Sequence, residues 1–250
     1  MPEGDTILRT ARSLATWLEG REVTAARSRT VKAPLQRVVG RRIEQVEARA
    51  KHLLIRFSGG AVLHTHMQMT GSWHIYSRGE RWRKPTWQAA AVLEAGDHVA
   101  VCFDAPVVEL LDERAAAAHP ALAGLGPDVL RPPVDLDEVR RRAAQRPPDI
   151  PVGELLLDQQ VVSGIGNIWR CEVLFVRKVH PWTRHASLAT DELDALVLEA
   201  GRLMAAGRRE RWVYGRAGRP CRRCGTPVAV QRSGDGGRNL FWCPTCQGAA

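Results

Sequence analysis

The chain has 250 residues, enough for one large domain or two smaller ones with separate cores. Lysine and arginine total 36 against 27 aspartates and glutamates, a net charge of +9 that suits a polyanionic partner. The opening Met-Pro-Glu-Gly-Asp-Thr has neither a basic leader nor an apolar run, and no stretch reaches the ~18 uninterrupted apolar residues of a membrane span, so a soluble, cytoplasmic protein is expected.

In chain order, Asp5 can cap a helix running to about Glu19, with Ile7, Ala11, Leu14 and Leu18 on one face and Gly20 as the stop. From about residue 21 to 112 the period changes to that of strands. His52–Phe57, Ala61–Met67, Ala89–Leu93 and Val99–Phe103 alternate or run apolar, separated by Ser58-Gly59-Gly60 and Ala95-Gly96-Asp97. This predicts a two-layer antiparallel β domain with a helix laid against it. Pro132-Pro133 and Arg146-Pro147-Pro148 flank a short helix over roughly Asp135–Gln145, and the second proline cluster marks a hinge to a helical half. There, Glu154–Gln160 and Ile168–Arg177 read as helices around Ser163-Gly164-Ile165-Gly166-Asn167. A helix–glycine hairpin–helix can hold phosphate on backbone amides, or it can be an ordinary helix–helix turn. A later helix, capped by Thr190, turns Leu193, Leu196, Ala200 and Leu203 to a core.

The clearest chemistry lies in Cys221-Arg-Arg-Cys224 and, eighteen residues on, Cys243-Pro-Thr-Cys246. Two CxxC pairs at this separation match a four-thiolate structural zinc site. Disulfides are the alternative, but nothing upstream marks the chain as secreted. Arg222, Arg223, Arg232 and Arg238 lie in and between the pairs, with Asp235 the one acid, and eight arginines fall between Arg202 and Arg223. Cys102 and Cys171 sit among apolar neighbours and read as core thiols.

Loss of Met1, expected before the small Pro2, would leave a secondary amine able to form an iminium at an aldehyde-like carbon, with Glu3 adjacent for proton transfer. Taken alone, Met-Pro-Glu is a common beginning. Lys51 reads as a strand-end lysine. His64 and His66 share a strand face, but no third metal ligand is evident near them, so a phosphate or structural role is expected. Met69, in Gln68-Met69-Thr70-Gly71, is either a core residue or a wedge for a base stack. Most of the eight tryptophans read as packing residues, with Trp212 and Trp242, in basic surroundings, the exceptions.

The order of these segments says more than any one of them. Pro2-Glu3-Gly4, Arg49-Ala-Lys51-His52-Leu53-Leu54, His66-Met67-Gln68-Met69-Thr70-Gly71-Ser72, Gly164-Ile165-Gly166-Asn167-Ile168 and Val213-Tyr214-Gly215-Arg216-Ala217-Gly218 leading into the cysteine pairs together resemble the formamidopyrimidine-DNA glycosylase/endonuclease VIII family. The resemblance spans nearly the whole chain, is most specific from Tyr214 to Gln247, and leans to actinobacterial endonuclease VIII-type proteins.

The resemblance implies an α+β architecture: an N-terminal helix with a two-layer antiparallel β-sandwich (1–130), a linker with a short helix (131–148), a helix–two-turn–helix domain (149–215) and a four-cysteine zinc hairpin (216–250). It implies a bifunctional DNA glycosylase and abasic-site lyase that works on damaged DNA with one structural zinc ion on Cys221, Cys224, Cys243 and Cys246. Pro2 takes the role of nucleophile, Glu3 that of acid/base, and Lys51 assists through a backbone phosphate. His66, Asn167 and Arg238 fall where the family grips phosphates, and Gln68, Met69 and Thr70 where it fills the space left by a flipped base. Two departures bear on the substrate. The Arg and Phe intercalators of the formamidopyrimidine branch are absent from Asp104-Ala-Pro-Val-Val-Glu109, and Thr6 stands where many members carry glutamate. Both favour oxidised pyrimidines and abasic sites. A non-catalytic zinc-ribbon DNA-binding protein is the alternative, separated by the Pro2, Glu3 and Lys51 set. Nothing in the sequence suggests an oligomer, so a monomer is expected.

Overall fold

The structure, a computed structural model, describes residues 2–207, 210–234 and 237–248. Met1, Arg208, Arg209 and Asp235 lie outside the described residues, and with them the expected loss of Met1 and the one acid of the zinc hairpin. The chain divides into two compact units, residues 1–123 and 124–250.

The first unit opens with α1 (Gly4–Leu18), whose residues Ile7, Ala11, Leu14 and Leu18 are buried at the helical spacing anticipated for them. Glu3, not Asp5, is the residue at which the helix starts: its carbonyl accepts from Thr6 and Ile7 at 2.9 and 3.0 Å. Eight strands follow: β1 (Val23–Ser28), β2 (Ile43–Arg49), β3 (His52–Phe57), β4 (Ala61–His66), β5 (Ser72–Ser77), β6 (Ala89–Ala95), β7 (His98–Phe103) and β8 (Val107–Asp112). They form two antiparallel four-stranded sheets, in the orders β1-β6-β7-β5 and β2-β3-β4-β8.

Alternation along the strands sends Leu53, Ile55 and Phe57 of β3, Leu63 of β4, Leu93 of β6 and Cys102 of β7 into one core with the apolar face of α1. Truncating any of the large ones, for instance Ile55→Ala, should cost about 2–5 kcal/mol. The opposite face of β3, β4 and β8 therefore receives His52, His64 and Glu109, a placement that matters below. Helix α2 (Glu113–Ala118) follows β8 and is capped by Asp112, whose Oδ1 accepts from the Ala115 amide at 2.7 Å; α3 (Pro120–Ala123) closes the unit.

The second unit is helical with a terminal hairpin: α4 (Leu136–Ala143), α5 (Val152–Leu155), α6 (Asn167–Val176), α7 (Thr190–Ala205), β9 (Ala229–Ser233), β10 (Arg238–Trp242) and α8 (Pro244–Gln247). Residues 131–148, expected as a linker, lie within this unit and pack into its core. Asp135 caps α4 through Glu138, and Val139 and Ala143, one turn apart, are buried with Leu155, Trp169 and Leu196. The division between units falls earlier, after Ala123. The helix expected over Glu154–Gln160 stops at Leu155, and a turn follows in which Asp158 Oδ1 accepts from the Gln160 amide at 2.9 Å, a local bond that competes with helix. Thr190 is the first helical residue rather than the cap; the preceding Ala189 amide donates to Glu192 at 3.0 Å. Among the described residues no helix is long and apolar enough to cross a membrane.

Candidate active site and zinc centre

Pro2 and Glu3 sit at the head of α1, Pro2 half-buried and Glu3 only 1% exposed. At the other end of the helix, the Gly20 amide donates to the Ile43 carbonyl at 2.8 Å and the Val46 amide to Glu19 at 2.6 Å, so α1 ends where β2 begins. Helix and strand pack on one another. Fifteen helical residues span roughly 22 Å and seven strand residues about 23 Å. The head of α1 therefore comes back to the end of β2 that leads into Lys51.

Arg49 pairs with His52, leaving Ala50 and Lys51 as a two-residue turn. Ala50 adopts φ 54°, a left-handed conformation that costs a non-glycine residue roughly 1–2 kcal/mol. Such strain at a hairpin tip fixes the direction in which the next residue leaves the sheet. His66 pairs with His52 at the same sheet end, their rings 4.6 Å apart. Burial, then the charges of His64 and Lys51, lower the pKa of His66; burial first, then His66 and His64, lower that of His52 to about 3. Both rings are accordingly neutral at pH 7, and Lys51 and His66 share one electrostatic neighbourhood.

The loop after β4 begins beside them. Gln68 takes φ 45° and is exposed, and Thr70 Oγ1 donates to the Asp104 carbonyl at 2.9 Å. Gly71 lies so close to Met67 that a Cβ there would meet its carbonyl at 2.8 Å. This fold of the loop buries Met67 and leaves Met69 69% exposed, so Met69 is not part of the core. The connection from β7 to β8 is only Asp104, Ala105 and Pro106. Lys84 Nζ pins the Asp104 carboxylate at 3.0 Å, and three residues leave no room for a projecting intercalation loop.

In the second unit, Gly164 takes φ 97° and Gly166 precedes α6. Asn167, 5% exposed, donates through Nδ2 to the Asn239 carbonyl and accepts through Oδ1 from Arg170 Nε, both at 2.9 Å. Arg170 is fully buried, and its Nη1 also reaches Glu154 at 3.0 Å and the Gly153 carbonyl at 3.2 Å. Its Nη2 has no hydrogen-bond partner among the described residues. Glu154 further accepts from Ser233 on β9. Buried Glu172 receives three consecutive amides, of Trp212, Val213 and Tyr214, at 2.8, 3.1 and 2.9 Å, which seats the segment that leads into the first cysteine pair.

Arg170 and Glu172 escape a reading by charge alone. The signal is nonetheless present: in Asn-Ile-Trp-Arg-Cys-Glu-Val-Leu-Phe-Val the neighbours are apolar all round, so neither charge has a solvent face to occupy. Trp212 and Trp242 are packing residues too. Trp212 stacks on Phe175 at 5.6 Å, and Trp242 meets Trp182 edge-on at 4.8 Å. Arg238 is exposed at the start of β10, opposite Ser233.

Cys221, Cys224, Cys243 and Cys246 converge at the base of the β9–β10 hairpin. Their Sγ atoms pair at 3.4 Å (Cys224–Cys243) and 3.9 Å (Cys221–Cys246), around the roughly 3.8 Å edge of a tetrahedron with ~2.3 Å zinc–sulfur bonds. The Arg223 amide also points at Cys221 Sγ at 3.4 Å, a bond that offsets thiolate charge. Hydrogen bonds from Thr226 pull the Cys224 thiol down to about 6, whereas burial pushes Cys246 up to about 12; an ion is what makes four adjacent thiolates tenable together. The four cysteines hold one structural zinc ion, with no position left open for substrate.

A β-sandwich headed by Pro2-Glu3, a glycine-hairpin helical unit and a four-thiolate hairpin define a zinc-stapled nucleic-acid enzyme class, and comparison with known proteins identifies it. Residues 1–118 match the formamidopyrimidine-DNA glycosylase N-terminal domain, 125–210 the H2TH domain of the same enzymes, and 218–248 the zinc finger found in FPG and IleRS. A probable endonuclease 8 2 of Streptomyces coelicolor is 38% identical over 99% of this chain and 94% of its own. A DNA-(apurinic or apyrimidinic site) lyase Nei2 of Mycolicibacterium smegmatis is 37% identical over the full length of both, and an Escherichia coli endonuclease 8 is 31% identical over 99% and 100%. Among solved structures, Lactococcus lactis Fpg in complex with abasic-site DNA superimposes with a TM-score of 0.85 at 19% identity, over 99% of this chain and 100% of that one, which speaks for the fold. The chain belongs to the formamidopyrimidine-DNA glycosylase/endonuclease VIII family.

Proposed function

We propose that this protein is a bifunctional DNA glycosylase and abasic-site lyase of base excision repair, with oxidised pyrimidines as its favoured lesions. The observation that carries the reading is identity of 37–38% over nearly the whole length to actinobacterial proteins named probable endonuclease 8 2 and abasic-site lyase, in a chain whose first helix is capped by Glu3 directly after Pro2. The short β7–β8 connection supports the pyrimidine preference, because it offers no intercalating loop.

A base inside a duplex is out of reach, so the nucleotide is flipped at a cost of a few kcal/mol. Met69, flanked by Gln68 and Thr70, enters the vacated stack, while Lys51 and His66 from the first unit and Asn167 and Arg238 from the second hold phosphates. The Pro2 nitrogen lone pair attacks C1′. The glycosidic bond breaks towards the base, which leaves protonated, and Glu3 supplies and recovers the protons for leaving base and opening sugar. The iminium formed between Pro2 and C1′ acidifies C2′. Loss of a C2′ proton expels the 3′ phosphate, and a second elimination expels the 5′ phosphate. Water then releases the sugar fragment from Pro2, leaving a one-nucleotide gap with phosphates at both ends. Zinc takes no part in these steps; it holds the hairpin that presents Arg238.

The enzyme acts as a monomer in the cytoplasm, on the bacterial nucleoid. Incubation with oligonucleotides carrying oxidised pyrimidines, 8-oxoguanine or an abasic site, resolved by product end chemistry, tests the reading. Cleavage of pyrimidine-lesion and abasic strands to doubly phosphorylated gaps is expected. Binding without cleavage on every substrate would reject it.

A further inference from the structure

The outer face of the second sheet gathers side chains for which the repair chemistry has no use. His64 on β4 lies directly opposite Glu109 on β8, and His52 lies two residue pairs along on β3, so all three project from one face. His119, between α2 and α3, folds over them with its ring 4.9 Å from that of His64. We propose that His64, Glu109 and His119 form a second metal site, for zinc or a similar divalent transition ion, distinct from the cysteine site.

Three features separate this cluster from an ordinary hydrogen-bonded one. The first is spacing. Glu109 Oε2 stands 3.3 Å from His64 Nδ1 and 3.2 Å from His119 Nε2, and the three donor atoms lie within 4.8 Å of one another. Charge-assisted N–H···O bonds contract to ~2.7–2.9 Å. The edge of a tetrahedron with ~2.0–2.1 Å bonds to nitrogen and oxygen is roughly 3.3–3.4 Å. The cysteine centre shows the same relation between ligand spacing and polyhedron edge.

The second is support from behind. His64 uses Nδ1 towards the site, and its Nε2 lies 2.8 Å from His52 Nδ1. The remaining ring nitrogen of a metal-bound histidine is held in this way, which fixes both tautomer and ring plane. Glu109 is held similarly: Lys32 Nζ approaches Oε1 at 3.8 Å and leaves Oε2 to the site. The third is access. Glu109 lines an open cleft of about 610 Å3 with Arg29, Lys32 and Val107, and its side chain and that of His119 keep 19% and 21% of their surface exposed, so an ion reaches both from solvent.

Two imidazoles and one carboxylate are a set that zinc accepts with water in the fourth place. One contact must yield: the Ala121 amide reaches His119 Nδ1 at 3.3 Å, and a ring ligating through Nε2 carries its proton on Nδ1. An ion here ties β4, β8 and the α2–α3 junction together, and through His64 and His52 it braces the sheet end that bears Lys51 and His66.

The site is tested by metal stoichiometry. Full-length protein is stripped, reloaded with excess zinc, desalted and assayed for metal and for protein. Two ions per chain are expected in the wild type, falling to one in His119→Ala and in the more conservative His119→Gln. Cobalt keeps the two sites apart: the cysteine site gives intense thiolate charge-transfer bands that both His119 variants retain, and the second equivalent adds only weak visible bands in the wild type. One ion per wild-type chain at saturation, or two in both His119 variants, would overturn the proposal. Neither result bears on the glycosylase reading, which has its own substrates and assay.

Discussion

Asn167 joins the start of α6 to the zinc hairpin: its Nδ2 donates to the Asn239 carbonyl at 2.9 Å, one residue from Arg238. A residue expected to meet a phosphate is thus also a strut between the glycine hairpin and β10. Removing it leaves the Asn239 carbonyl and the Nε of buried Arg170 without their partner, at about 1–3 kcal/mol for each unsatisfied group. Asn167→Ala should therefore weaken DNA binding and also speed zinc loss to a chelator several-fold. Asn167→Asp, which keeps the bond to Arg170 but turns an acceptor towards Asn239, should do the same. Lost DNA binding with unchanged zinc release would reduce Asn167 to a phosphate contact alone.

The nucleophile is open to direct chemistry. Borohydride should trap a covalent adduct on abasic-site DNA, and peptide mapping should place it on Pro2. Pro2→Gly, or retention of Met1, should suppress the trapped species. Glu3→Gln should lose base excision by more than it loses cleavage of a preformed abasic site. An adduct on Lys51 would contradict the assignment.

Loss of the cysteine-bound zinc should act on one unit only. The first unit closes its core within residues 1–123, whereas the cysteine site shares a cluster with Cys171 and Phe175 of α6. Cys224→Ser should abolish DNA binding and lower the melting of the second unit, while β-sheet circular dichroism and the unfolding transition of the first persist. Loss of both transitions together would show that the units depend on one another.

Charge and wedge can be told apart by salt. Arg238→Ala should weaken binding to all sequences and lesions alike, and flatten the plot of log K against log salt by about 1. Met69→Ala carries no charge, so its slope should match the wild type, and excision from duplex should fall further than cleavage of single strands. Equal losses on both substrates would deny Met69 its place in the stack.

How much of this was legible follows from where each residue sits. The four strands evident from apolar runs, β3, β4, β6 and β7, are the inner strands of the two sheets; β1, β2, β5 and β8, the four edges, were not singled out. Edge strands keep one flank in solvent, and Ile43–Arg49, with burial at only three positions, shows no apolar run to find. The cysteine site was readable because its ligands come in two local pairs. The histidine cluster was not, because Glu109 lies 45 residues from His64 and only the β4–β8 ladder places them side by side. Asn167 was reached through the family resemblance that its glycine hairpin helps to carry, while nothing in the sequence marks Arg170, 0% exposed, as its buried partner.

The cluster that ties Cys221, Leu240 and Cys243 to Cys171 and Phe175 also sets an order of events on the ribosome. The first unit has all of its residues once Ala123 is made, and it can fold while synthesis continues. Helix α6 cannot do the same, because the side chains that cover Cys171 and Phe175, from Trp212 and Val213 to Cys243, emerge roughly forty to seventy residues later, the cysteines among them taking up their places around a metal ion. A nascent chain in a zinc-starved cell would thus carry a finished sandwich beside a helical unit with an uncovered apolar face. Such a chain is a target for chaperones and proteases, so metal supply would govern how much enzyme survives as well as how well it grips DNA.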